Sequence, residues 1–278
     1  KGKRIEDALA LTNKEVVDAL GGLPAHKLHC SVLAEEAVKS AVKDYYDKNG
    51  IGEPMKVCRK PSTGVETKAY APQASDDFEA KELGLQWQFN HNPHDEYWSL
   101  TEKPGWLAIK SQKAEKLRTA FNQFTQKTMG YKGVVTVKID FAQLTPGGRA
   151  GIECIGNKFV GGGIIMEDKD GTATPRLYME TDGTAKTTSF NISSVMNKGI
   201  YIRLEIDAVN NKHKFYYSVN NETFIEFGDT FESGSGDWKG SRIGLYSYNT
   251  QETSGTAYFD EFTYLFDGPG GLTSTQTK

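Results

Sequence analysis

Beyond Asp76 the apolar residues recur at every second position, and this period limits the fold more than any other feature of the sequence. In LQWQFN, Leu85, Trp87 and Phe89 point one way while Gln86, Gln88 and Asn90 point the other, as successive side chains of a β-strand do. VVTVKID, FVGGGIIME, GIYIRLEID, KFYYSV, RIGLYSYN and TAYFDEFTYLF repeat the pattern, separated by Pro-Gly, Asp-Gly, Asn-Asn and Gly-Ser-Gly turns. Many short strands with few helical stretches predict a two-sheet antiparallel sandwich. The segment KSQKAEKLRTAF (110–121) reads as a helical turn or a long loop, and the tail 268–278 as disordered.

The first fifty residues keep a different period. Ile5, Ala8 and Leu9, then Val16, Val17, Ala19 and Leu20, recur at helical spacing until Gly21-Gly22. Ser31 is placed to cap a second helix, whose Leu33, Ala37, Val38, Ala41, Val42 and Tyr45 form one apolar stripe up to Asn49-Gly50. Pro54, Pro61, Ser62, Gly64 and Pro72 mark residues 51–75 as an extended connector. The expected class is therefore mainly β: a sandwich over 76–267, preceded by a short α-helical segment over 1–50 and the connector.

Charge and hydropathy narrow the partners. The net charge of −3 across 278 residues gives no basic surface for nucleic acid. No apolar run approaches the ~18 residues of a membrane span, and the N-terminus is too polar for a signal peptide. Either a cytoplasmic or a secreted location fits. Cys30, Cys58 and Cys154 form an odd set without a CxxC pair, so at most one disulfide is expected.

The stretch LPAHKLHCSVLAEEA places Cys30 directly before the cap Ser31, with His29 beside it. A helix N-terminus favours thiolate. The longer run RIEDALALTNKEVVDALGGLPAHKLHCSVLAEEAVKSAVKDY resembles the C-terminal part of the NifU/IscU-like iron–sulfur cluster scaffold family. That resemblance implies that Cys30 is a cluster ligand and sulfur acceptor and that His29 lies in the site. The family's other two cysteines and acidic ligand have no counterpart here, and its Leu-Pro-Pro-Val-Lys segment reads Leu23-Pro24-Ala25-His26-Lys27. One thiolate and one imidazole leave a four-ligand shell open. His29 and Cys30 are thus expected to be an incomplete iron–sulfur half-site, and no bound cofactor is expected.

In the β part, Glu205-x-Asp207-x-x-Asn210 resembles the Glu-x-Asp-x-x-Glu strand of sandwich-fold glucanases, but an amide replaces the third carboxylate. Glycoside hydrolysis needs a carboxylate pair across the bond. The reading preferred is an outward polar row, Tyr201, Arg203, Glu205 and Asp207, behind a buried row, Ile200, Ile202, Leu204 and Ile206.

The runs SDDFEAKELGLQWQFNHNPHDEYWSLTEKPGWLAIK and FTQKTMGYKGVVTVKIDFAQLTPGGRAGIECIG, with RIGLYSYN and AYFDEFTY, resemble the concanavalin-like (jelly-roll) sandwich appended to family 43 glycoside hydrolases, the β-xylosidases and α-L-arabinofuranosidases. The resemblance covers about residues 52–267. The family's catalytic Asp, Asp and Glu lie in a five-bladed propeller that no part of these residues resembles. It therefore implies a non-catalytic accessory domain whose partner is a hydrolase propeller or a xylan- or arabinan-type oligosaccharide. An autonomous carbohydrate-binding module and a scaffold fragment completing its site in trans are the alternatives.

Sugar sites offer aromatic faces and hydrogen-bonding groups. Trp87, Trp98 and Trp106 are expected in the core. Tyr246 and Tyr248, on the face of Arg242, are expected to be exposed, and with Trp238 they form the candidate carbohydrate-binding set. His91 and His94 flank a turn and make no clear metal pair. Asp77 and Asp260 offer too few oxygens for more than a weak structural calcium site. The two resemblances abut near Asn49 to Glu53, and each covers only part of its module, as expected of a composite or chimeric sequence.

Overall fold

The computed structural model describes residues 72–170, 172–236 and 239–267, with six residues between 37 and 48. The chain divides into two compact units, Lys1–Lys68 and Ala69–Lys278. In the first, Ala37, Ser40, Ala41, Asp44, Tyr45 and Lys48 have α-helical conformation, and Lys48 Nζ donates to Asp44 Oδ2 at 2.8 Å one turn away. Six residues do not delimit the two helices expected there. Ala37, Ala41 and Tyr45, placed above on an apolar stripe, are exposed. His29, Cys30 and Cys58 lie outside the described residues, as do the connector up to residue 71 and the tail 268–278. Among the described residues no helix is long and apolar enough to cross a membrane.

The second unit is built from strands β1 (Gln88–Phe89), β2 (Trp98–Ser99), β3 (Leu107–Lys110), β4 (Gln112–Lys113), β5 (Phe124–Lys127), β6 (Lys132–Gln143), β7 (Gly148–Ile155) and β8 (Phe159–Lys169). It continues with β9 (Thr172–Thr181), β10 (Thr184–Asn191), β11 (Ile200–Asp207), β12 (Lys212–Ser218), β13 (Ile225–Phe231), β14 (Arg242–Asn249) and β15 (Thr256–Phe266). One sheet runs β1-β5-β14-β7-β8-β9-β10, with β4 added parallel to β14. The other runs β13-β12-β11-β6-β15-β3-β2. The expected antiparallel sandwich is the observed architecture.

The alternation in β11 is as expected: Ile200, Ile202, Leu204 and Ile206 are buried, while Tyr201, Arg203, Glu205 and Asp207 face outward. Phe215 of β12 reaches across to the other sheet at Gly162. A Cβ there would lie 2.5 Å from the Phe215 ring, so only glycine permits this approach. This is the structural role of Gly162 within the Gly161-Gly162-Gly163 run.

Trp87 occupies the core as expected. It stands 5.9 Å from Phe78, 6.4 Å from Phe124 and 4.9 Å from Phe262, and its indole Nε1 donates to Asp76 Oδ2 at 2.7 Å. Asp76 itself bridges to Phe262, fastening the start of the sandwich to its last strand.

Three expectations fail. Leu85 is fully exposed, because the strand is only Gln88–Phe89 and Trp87 N–H closes a turn onto the Gly84 carbonyl at 3.1 Å. Trp106 is half-buried, its outer face covered by the Lys103 ammonium at 3.7 Å. Trp98 is also half-buried, packed against the core from its rim. Segment 110–121, read as a helical turn or a long loop, does hold a helical turn. It carries β4 and a 3₁₀ turn, Leu117–Thr119, and it lies across the outward face of the first sheet.

Candidate functional site

Antiparallel pairing sets four residues in one row across that covered face. Gly244 of β14 pairs with Glu153 of β7, Glu153 with Gly161 of β8, and Gly161 with Glu180 of β9. The next row is Tyr246, Gly151, Gly163 and Tyr178. With neighbouring strands about 4.8 Å apart, two buried carboxylates stand roughly 10 Å from each other with a glycine between them. That glycine is filled from above. A Cβ on Gly161 would meet Tyr246 Oη at 2.8 Å and Leu117 Cδ2 at 2.9 Å.

The overlying strap 111–123 supplies the apolar cover and much of the hydrogen bonding. Leu117, Ala114 and Ala120 pack with Tyr178, Tyr246, Tyr248, Ile155 and Phe159 in a second hydrophobic cluster. Glu180 accepts from Arg149 Nη1 at 2.6 Å, from Leu117 N–H at 2.9 Å and from the Tyr248 hydroxyl. The Tyr178 and Tyr246 hydroxyls share a hydrogen bond of 2.6 Å. Gln123 Nε2 donates to Glu153 Oε2 at 2.8 Å and to the Leu117 carbonyl at 2.9 Å. His94 pins the strap from outside through Gln112 Oε1 at 2.6 Å and by stacking on Phe121 at 4.4 Å.

Burial governs the protonation of this row. It pushes the Glu153 carboxyl well above the usual carboxylate range, against the opposing pull of Arg242 and Gln123. Its Oε1 has no hydrogen-bond partner. Burial likewise raises the Tyr178, Tyr246 and Tyr248 phenols. The Arg242 guanidinium moves down, because it too is desolvated.

Of the carbohydrate-binding set, Tyr246, Tyr248 and Arg242 do share one sheet face. Their expected exposure is wrong: both tyrosines are fully buried and Arg242 is 6% exposed. The alternation was right, but the strap turns an outward face into a second interior. Trp238 lies outside the described residues. Arg149, Glu153, Tyr178 and Glu180 were not anticipated. The available signal was a single acid inside the buried run GIECIG, opposite glycines on both neighbouring strands.

The remaining candidates serve local structure. Asp207 accepts from Asn210 twice, at 3.0 Å from N–H and 2.8 Å from Nδ2, closing its own turn, while Glu205 is exposed. His91 Nε2 lies 2.9 Å from the Arg118 carbonyl oxygen. Asp77 Oδ1 accepts from Glu79 N–H at 3.3 Å, and Asp260 Oδ1 from Glu261 N–H at 2.6 Å. Among the described residues no group of three or more His, Cys, Asp or Glu side chains could hold a metal ion. Cys154 is free and buried.

Two antiparallel sheets packed face to face, one with its outer face closed by a strap, define a concanavalin-like sandwich. The chain belongs to the family of β-xylosidase C-terminal concanavalin A-like domains, whose model matches residues 75–265. It is 35% identical over 245 residues to a β-xylosidase of Formosa agariphila, covering 80% of this chain and 40% of that protein. A solved bifunctional GH43-CE protein of Bacteroides eggerthii superposes with a TM-score of 0.62 at 27% identity, covering 68% of this chain and 25% of the other. Residues 1–51 match the NifU-like N-terminal domain. Over 50 residues there the chain is 56% identical to the iron–sulfur cluster assembly scaffold protein IscU 1 of Archaeoglobus fulgidus, covering 18% of this chain and 33% of that protein. The chain thus spans less than half the length of each of these relatives.

Proposed function

We propose that the sandwich is a non-catalytic accessory domain of a family 43-like glycoside hydrolase acting on xylan- or arabinan-type polysaccharides. Its role is to support a catalytic propeller or to hold the glycan near it. The observation that carries this reading is the fate of the carboxylates on the covered face. Glu180 is clamped by Arg149, Tyr248 and the Leu117 N–H, burial raises the Glu153 carboxyl well above its ordinary range, and Leu117 fills the space between them. General acid–base catalysis needs both groups within reach of a bond and of water.

The test is twofold. The purified chain should leave aryl xylosides and arabinofuranosides intact, and it should raise the stability or kcat/KM of a separately supplied family 43 propeller. Turnover by the chain alone that disappears in Glu205→Gln would overturn the reading and make the β11 strand an active site.

The match over residues 1–51 favours a second reading for the N-terminal unit, a scaffold fragment whose His29 and Cys30 are completed by another chain. Anaerobic reconstitution with iron and sulfide tests it. A cluster that survives desalting and is lost in Cys30→Ser would support it, and failure to retain iron would reject it.

A further inference from the structure

We propose that the recess at the end of the covered face binds a carboxylate-bearing sugar, a uronate residue of a glycan. The inference rests on the carbohydrate reading above and gives it a site and a charge. The recess lies over the terminal row of the sheet, where Arg242 pairs with Ile155 and Ile155 with Phe159. Its volume is about 380 Å³, with Asn90, His91, Arg118, Lys239 and Arg242 among the residues around it. Ligand pockets run from about 300 to 1,000 Å³, so this one suits a single sugar ring rather than a glycan chain.

Its charge is opposite to that of the molecule. The chain carries a net −3, yet two arginines and a lysine line the recess and, among the described residues, no Asp or Glu does. Arg242 is the strongest element. It is 94% buried, its Nη2 donates to Asn90 Oδ1 at 2.6 Å, and its Nε has no partner among the described residues. A buried donor without an acceptor is costly. Glu153 pulls on this guanidinium, and burial raises the Glu153 carboxyl well above its ordinary range against that pull.

Arg118 stands on the other side, half-exposed. It is held by Asp182 Oδ1 at 2.8 Å and the Asn157 carbonyl at 2.9 Å, both through Nη2, and its guanidinium lies 4.2 Å from the centre of the Phe159 ring. These contacts fix the plane of a forked donor, the geometry that recognises a planar carboxylate with two parallel bonds. Ile155 and Phe159 give the recess an apolar floor against which the C–H face of a pyranose can rest.

The experiment titrates the full chain with glucuronate, galacturonate, xylose, acetate and inorganic phosphate, following heat or amide chemical shifts. A uronate should bind saturably and about tenfold more tightly than xylose or acetate, and its affinity should fall as salt is added. Arg118→Gln, at a half-exposed site, should fold as the parent does and lose about tenfold in uronate affinity. Arg242→Gln adds a second probe where it folds. Equal affinity for xylose, equal affinity for acetate or phosphate (an adventitious ion only), or an unchanged Arg118→Gln each overturns the proposal. Xylo-oligosaccharide binding that persists without uronate binding would remove this site and leave the accessory reading standing.

Discussion

Replacing Glu180 with alanine tests whether the covered face is an interior or a loosely closed surface. The carboxylate is fully buried and Arg149, its ion-pair partner at 2.6 Å, has a side chain only 14% exposed. The same carboxylate also takes the Leu117 N–H at 2.9 Å and the Tyr248 hydroxyl. Glu180→Ala therefore takes the carboxylate from one buried cation and the acceptor from one backbone donor and one phenol at once, leaving Arg149 only its 2.9 Å bond to the Tyr248 hydroxyl at that nitrogen. Removing one partner of a buried pair costs about 3–5 kcal/mol. For a domain of this size each kcal/mol lowers the melting temperature by about 2–4 °C, so the sandwich transition should fall by roughly 6–20 °C. Calorimetry or circular dichroism reads this directly. Lys186→Ala is the control: its bridge to Asp229 at 3.0 Å joins side chains 75% and 72% exposed, and such pairs contribute about 0–1 kcal/mol. Glu180→Gln, which keeps an acceptor for Leu117 but loses the charge, should fall between the two. A Glu180→Ala protein that melts with the control would refute the argument, because water would then be reaching the row under the strap.

Three further outcomes follow from burial. The folded Glu153 carboxyl titrates above its ordinary 4.5. From there up to its folded value the folded state holds a proton the unfolded state has released, and stability falls as pH rises, by up to about 1.4 kcal/mol per pH unit. Glu153→Gln should flatten that slope, and an unchanged plot of melting temperature against pH would count against it. Burial pushes the Cys154 thiol up to about 12, so iodoacetamide at pH 8 should spare it in the folded chain and label Cys30 first. Peptide mass mapping that finds equal rates would contradict this. Trp87→Ala should cost about 3–5 kcal/mol in denaturant titration. A variant that unfolds like the parent but loses glycan binding would make Trp87 a ligand platform.

The sandwich was legible wherever a strand had one buried and one solvated face. β11 is the clearest case, with four aliphatic residues alternating against Tyr201, Arg203, Glu205 and Asp207. Trp87 was legible for the same reason. Alternation fails where something outside the strand decides exposure. In β14 both faces are buried, so Tyr246 and Tyr248 read as exposed in RIGLYSYN although Leu117 and its neighbours lie over them. The strap was hard to recognise because its apolar content is only Ala114, Leu117, Ala120 and Phe121 among charged residues, with no sustained period. Leu85 fails in the opposite sense. Its alternation with Trp87 continues past the end of a two-residue strand into a turn. The buried acids were missed because strand patterns treat any Asp or Glu as outward. The glycines opposite Glu153 on both neighbouring strands are the residues that make room for it.

The strap also bears on how this domain can meet a sugar. An open sheet of a sandwich offers a long row of alternate side chains, on which a polysaccharide chain can lie. Here that row is occupied by Leu117 against Gly161 and by the hydroxyls and carboxylates bonded beneath it. Displacing the strap would break the Leu117–Glu180 and Gln123–Glu153 bonds and expose an apolar cluster, for which a weak glycan contact offers little in return. What stays accessible beside the face is the recess at the Arg242 end, about 380 Å³ in volume. On the proposed reading, this face meets a single residue or a chain end at that recess, not the middle of a polymer. The same closure buries Glu153 and Glu180 under the strap, which is why the proposed reading gives them a structural part and leaves contact with a glycan to the recess.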